Sequence, residues 1–202
     1  MSVVTRCNPI GTATLADLVA LDDDERKRFE LIGGELVERG AGTGKHGGAQ
    51  WRASRVLGPF DRRPGGPPDR PGGWIFGTDV DVYFDERNTL RPDVGGWRRE
   101  HLAALPEEFP VRVLPSWVCE ILSTNRRNDL VRKKRVYHQY KIPHYWILDP
   151  QAETLLVYRW SADGYTEVLA AQRGERVRAE PFEAIELAVG VLFGDDDDDA
   201  PP

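Results

Sequence analysis

Ser116-Trp117-Val118-Cys119-Glu120-Ile121-Leu122 is an almost unbroken apolar run with a single carboxylate inside it. Such a run predicts a strand buried on both faces. An ionised carboxylate is seldom buried without a partner, so something must compensate Glu120. Two readings are open. A divalent cation would serve, with a second carboxylate from a neighbouring strand end completing the oxygen-rich set that Mg2+ or Mn2+ prefers. Asp93, directly after Pro92 in Leu90-Arg91-Pro92-Asp93-Val94, meets that need. Alternatively, Glu120 pairs with a basic residue such as Arg91 or Lys133.

Downstream, Asp129 is expected to cap a helix that runs to about Tyr140 and is stopped by Pro143. Its face of Leu130, Lys133/Lys134, Tyr137 and Tyr140 or Lys141 turns back toward the sheet. Lys133 follows Asp129 by one helical turn, from where its ammonium can lean over Asp93 and Glu120. There it would orient or help deprotonate an attacking water and offset charge on a phosphorane-like transition state. The competing reading of Arg132-Lys133-Lys134-Arg135 is a solvated basic helix face.

Toward the N-terminus, Thr14-Leu15-Ala16-Asp17 opens a short amphipathic helix with a capping-box-like start, running to about Ala20. Phe29-Glu30-Leu31-Ile32 and Glu35-Leu36-Val37-Glu38 flank Gly33-Gly34 and predict an antiparallel hairpin. Residues 45–57 have helical spacing at Ala49, Arg52, Ala53 and Val56. Residues 58–73 concentrate Pro and Gly too heavily for a helix or central strand and read as a mobile surface loop. It would be a lid or clamp if it borders the active site, and otherwise an unspecialised connection. Residues 74–84 alternate as β structure, with Ile75, Val80, Val82 and Phe84 as core candidates. Tyr145 to Leu148, Leu155 to Trp160 and Tyr165 to Ala171 predict three more strands, with turns at Asp149-Pro150 and Asp163-Gly164. Leu187, Val189, Val191 and Leu192 close the body. The pattern is mixed α/β with a mostly antiparallel sheet.

With 202 residues and 40% hydrophobic content, the chain supports one substantial core. We divide it into an N-terminal tail (1–11), one domain (12–194) and a disordered acidic tail (195–202). No apolar run approaches a membrane span, and no basic-then-apolar leader opens the chain, which points to the cytoplasm. Cys7 and Cys119 form neither a disulfide framework nor a zinc set. Five of the six net negative charges belong to Asp195 to Asp199, so the body is nearly neutral. Basic clusters at Arg62 and Arg63, at Arg98 and Arg99, and from Arg126 through Arg135 permit polyanion binding.

The ordered set of segments carries a resemblance. Phe29-Glu30-Leu31-Ile32-Gly33-Gly34-Glu35-Leu36-Val37, His46, Arg91-Pro92-Asp93, Val118-Cys119-Glu120-Ile121-Leu122-Ser123, Asp129 with Lys133 and Tyr137, and Pro143-His144-Tyr145-Trp146-Ile147-Leu148-Asp149-Pro150 occur in that order. Together they resemble the Uma-two family of putative restriction endonucleases over roughly residues 29–193. The resemblance implies the PD-(D/E)XK nuclease fold, a central mixed sheet flanked by helices, with Mg2+ or Mn2+ held by Asp93 and Glu120. Glu35, or else Glu30, would complete the metal shell, with Glu35 preferred. The superfamily's lysine two residues after the acid is replaced here by Leu122, and Lys133 on the following helix matches the family's substitute, ahead of Lys134. His46 matches a family position, yet a hydrogen-bonded scaffold histidine fits equally; Tyr137 and Trp146 read as packing residues. Ser123-Thr124-Asn125 replaces the more typical Ser-Pro-Ser-Thr, and Lys141-Ile142 stands where Gly-Val is common.

These readings converge on a metal-dependent endonuclease that hydrolyses DNA, with Asp93, Glu120 and Lys133 as its reaction centre, a homodimer left open, and no membrane association. The rivals are a non-catalytic module that keeps the fold, a metal-dependent hydrolase of another substrate, and a structural ion pair in an unrelated α/β protein.

Overall fold

In a computed structural model, residues 11–40, 42–123, 126 and 128–196 are described. Thr14 caps α1 (Leu15–Val19) with the reciprocal Thr14/Asp17 box, and Asp22 caps α2 (Asp23–Arg26) through the Asp24 and Glu25 amides. The hairpin follows as β1 (Phe29–Ile32) and β2 (Glu35–Glu38), with Gly33 and Gly34 both at positive φ, as a tight two-residue connection requires. α3 (Gly44–Val56) starts on a Thr43 side-chain cap and buries Ala49 and Ala53. Residues 58–73 then run without helix or strand.

The β segment expected over 74–84 is two strands in two different sheets, β3 (Trp74–Thr78) and β4 (Val82–Asp85). Asp79, at φ 53°, turns the chain between them, a conformation that Asp tolerates better than most residues. β5 (Asn88–Leu90) and β6 (Val94–Arg98) likewise belong to different sheets. One sheet has the order β2-β1-β5-β4. The other has six strands, ordered β10-β9-β8-β7-β6-β3, and includes β7 (Trp117–Ile121), β8 (His144–Asp149), β9 (Thr154–Ser161) and β10 (Gly164–Gln172). Among the described residues, every pair of these strands is antiparallel except β7 with β8, whose parallel register sets Glu120 against Ile147; an isolated parallel bridge joins Val82 to Val111. A small third ladder joins β11 (Arg176–Val177) to β12 (Leu187–Ala188).

A parallel neighbour requires a crossover, and the segment after β7 supplies it. Its helix differs from the expected one: a π-helical turn spans Asn128–Lys133 before α4 (Lys134–Gln139), so Asp129 lies inside the first turn instead of capping it. The helix ends ahead of Pro143, at Lys141 with φ 56°.

Alternation along β7 sorts the core. Trp117, Cys119 and Ile121 face α3 together with Trp74, Trp146 and Phe182, whereas Val118 and Leu122 join Val136, Tyr137, Tyr145 and Ile147 on the α4 side. Glu120 is on that second face, in register with Val118 and Leu122. No helix among the described residues is long and apolar enough to cross a membrane. At the C-terminal end, Asp195 bonds Arg173 and the Gly190 carbonyl; residues 197–202 of the expected acidic tail, like Cys7, lie outside the described residues.

Candidate active site

Arg91-Pro92-Asp93 is the chain's crossing from the four-stranded sheet to the six-stranded one, and everything from Asn88 to Trp97 is buried. Asp93 is 4% exposed. Its Oδ2 accepts the Ile121 amide at 2.6 Å, which fastens the carboxylate to β7. Its Oδ1 lies 3.3 Å from His46 Nε2 and 3.4 Å from Arg39 Nη2. Burial alone would raise this carboxyl's pKa; the His46 bond, the Lys133 charge and the Ile121 amide outweigh burial and hold it below the ordinary range.

Glu120 has no exposed surface. Tyr137 donates its hydroxyl to Oε1 at 2.5 Å, and Lys133 Nζ lies 3.1 Å from Oε2. Burial pushes its pKa well up, opposed by Lys133 and reinforced by Asp93, Asp129 and Glu30. The same Lys133 ammonium sits 3.0 Å from Glu30 Oε1, 3.6 Å from Asp129 Oδ1 and 3.3 Å from the Arg91 carbonyl. Burial would lower the Lys133 pKa, but Glu120, Glu30 and Asp129 more than reverse that and fix the amine as a cation. Asp129, desolvated and only partly repaid by Lys133, is pushed up to about 6.

These groups line one cavity of about 250 Å³, closed on the α3 side by Thr43, His46, Gly47 and Gln50. The structure therefore brings Asp93, Glu120, Lys133, Glu30, His46 and Asp129 together. Glu35 is not among them. It lies across from Ile32 on the outer strand of the hairpin, where Arg132 takes its Oε2 at 2.8 Å. The hairpin carboxylate at the cavity is Glu30, on the inner strand, 3% exposed and also accepting the Arg91 amide at 2.6 Å. Glu30 carries the same mark in sequence as Glu120, an acid inside an apolar strand. Arg39, Asp79 and Gln50 were not anticipated: Arg39 bridges Asp79 at 2.7 Å, and Gln50 Nε2 donates to Asp79 and to the Asp93 carbonyl, both at 2.9 Å. Polar residues beside glycine-rich turns carry no signal that separates them from surface. Tyr137, read as packing, also holds Glu120.

No residue of the 58–73 loop lines the cavity, so the condition for a lid is not met. Much of the basic clustering is used within the fold: Arg98 stacks on Trp74 at 4.1 Å, Arg99 bonds the Trp74 carbonyl at 2.7 Å, and Arg126 pairs with Asp149 at 2.7 Å.

Among the described residues, no three His, Cys, Asp or Glu side chains are arranged to hold a metal ion. The donor chemistry nevertheless suits a hard divalent cation. Among the described residues lining the cavity, five carboxylates, Glu30, Asp79, Asp93, Glu120 and Asp129, stand with two permanent cations, Arg39 and Lys133, and burial together with the neighbouring Asp93 and Glu30 raises the Asp129 pKa to about 6. Mg2+ needs only one or two carboxylates when water and substrate phosphate complete its shell.

The model of the Uma2 family, described as "Putative restriction endonuclease", matches residues 15–190. No curated protein matches the sequence. Among solved structures, the chain is similar to a putative nuclease belonging to DUF820 from Anabaena variabilis ATCC 29413, with a TM-score of 0.67, 20% identity, and coverage of 89% of this chain and 97% of that one. That likeness fixes the fold as restriction-endonuclease-like, and because the family match spans most of its length, the chain belongs to the Uma2 family.

Proposed function

We propose that this protein is a divalent-metal-dependent endonuclease that hydrolyses DNA phosphodiester bonds at the cavity between β6, β7 and the π-helical turn. The observation that carries the reading is the buried convergence of Glu30, Glu120 and Asp129 on one lysine, with Asp93 lining the same carboxylate-rich open cavity. Buried charge is expensive, and a structural ion pair would need one carboxylate, not three. Family membership favours a nuclease over other hydrolases.

Asp93 and Glu120 are the residues that would hold Mg2+ or Mn2+, with Glu30 beside them. A cation held there would polarise a phosphate oxygen as a Lewis acid and lower the pKa of a bound water. In hydrolysis the water oxygen bonds to phosphorus while one ester P–O bond breaks; one water proton ends on the leaving oxygen and the other on solvent. Lys133, held as an ammonium, donates to the phosphoryl oxygens and offsets their growing charge, and it is not the base. The Ile121 amide fixes the Asp93 carboxylate, and Tyr137 fixes that of Glu120. His46, whose pKa is raised chiefly by its bond to Asp93, stands at the cavity wall and helps position that carboxylate.

The test uses end-labelled single-stranded and duplex DNA with Mg2+, with Mn2+ and with EDTA. Internal cuts that need the metal support the reading. Binding without cutting under every condition points to a non-catalytic module, and neither binding nor cutting removes nucleic acid as the substrate.

A further inference from the structure

Trp51 is the most exposed large apolar side chain among the described residues, 62% accessible, and it is carried by α3, the helix that walls the site. α3 contributes His46, Gly47 and Gln50 to the cavity wall. Trp51 follows Gly47 by four positions, so it extends the cavity's lip by one turn. Helical side chains lean toward the N-terminus of their helix, which carries the indole back toward the cavity mouth. The ground there is bare: a Cβ on Gly44 or Gly47 would meet no atom within 4 Å. The Arg55 guanidinium stands 5.5 Å from the centre of the indole ring. α3 also carries Lys45 and Arg52 and has no Asp or Glu. An accessible aromatic face on a cationic helix that also walls the cavity has the chemistry of a base-stacking platform.

Resting on the nuclease reading above, we propose that Trp51 stacks an unpaired nucleobase adjoining the phosphodiester in the cavity, so that single-stranded or locally opened nucleic acid is the preferred ligand. Stacking accepts any base because each has a π face, so the platform selects strand state and not sequence.

The experiment titrates full-length protein with a fluorescein-labelled single-stranded oligonucleotide and with its blunt duplex. Ca2+ is present, and gels confirm that the DNA stays intact. In the expected result, Trp51→Ala weakens single-strand binding about tenfold, about 1.4 kcal/mol, and changes duplex binding less than twofold, while Trp51→Phe recovers part of the loss. The acrylamide-quenchable tryptophan emission of the wild type also falls on single-strand binding and does not fall in Trp51→Ala, because Trp74, Trp97, Trp117 and Trp146 are already buried and half-buried Trp160 is common to both proteins. Thermal melts check that the variants fold. Unchanged single-strand affinity in Trp51→Ala, with wild-type binding and cutting intact, overturns the platform alone. A change in self-association on sedimentation with no change in DNA affinity makes Trp51 an interface between copies and also overturns it. A wild type that binds neither form overturns both the platform and the nuclease reading.

Discussion

Lys133 meets three carboxylates and a backbone carbonyl while 3% exposed, and its removal would strand those charges in the interior. Deleting one partner of a buried ionic group costs about 3–5 kcal/mol. Lys133→Met is therefore expected to lower stability by that amount in urea melts at neutral pH, and, on the proposed role of Lys133 as a transition-state donor, to slow cutting by about 100-fold or more. A cost below about 1 kcal/mol would mean the cluster is solvated. Asp129 gives a pH signature. Its folded pKa, about 6, exceeds the ordinary carboxylate value near 4, so the folded state binds the extra proton and its contribution is present below pH 4 and lost as pH rises to 6. Asp129→Asn should thus gain on the wild type by about 1–3 kcal/mol between pH 4 and 6 in metal-free melts. Metal affinity should rise over the same interval as the proton is displaced, then level off, as isothermal titration at stepped pH would read. At this scale the sequence was informative wherever an acid interrupts an apolar strand: Glu120 and Glu30 both carry that mark. Glu35, preferred over Glu30 in the sequence reading, lies away from the cavity because which hairpin strand is inside depends on pairing with β5, which local sequence does not encode.

The helix over the site shows how far element-level reading reaches. Its end is a complete Schellman turn: the Lys141 amide bonds the His138 carbonyl and the Ile142 amide bonds the Tyr137 carbonyl, both at 3.0 Å. Lys141 occupies the left-handed position where glycine is free of penalty. Lys141→Gly should stabilise the protein by about 0.5–1 kcal/mol, a rise in melting temperature of about 1–4 °C by calorimetry; a fall would mean that the ammonium's contact with the Trp160 ring outweighs the backbone strain. A capping box located α1, the glycine pair the hairpin, helical spacing α3, and apolar β-rich runs bounded by turn residues the strands β7 to β10. Periodicity missed the break at Asp79, since one alternating pattern served two sheets in succession, and the π-helical turn, whose widened pairing has no periodicity signal.

At the scale of the molecule, two sheets meet where Arg91-Pro92-Asp93 passes from one to the other, and the parallel β7–β8 crossover lays a helix against the same point. Pairing between strands distant in sequence builds the centre, which is why the roles of Asp79, Arg39 and Gln50 were not legible in the sequence while the fold class was. The central claim is that Asp93, Glu120 and Lys133 form one hydrolytic centre. Its most direct measurement is the conversion of supercoiled plasmid by wild type, Asp93→Asn, Glu120→Gln and Lys133→Met, purified identically, shown to be folded, and assayed with Mn2+ and with EDTA. The account predicts metal-dependent nicking by the wild type and its loss in all three variants. Nicking that persists undiminished in the variants, or a folded wild type that leaves the plasmid intact, would contradict it.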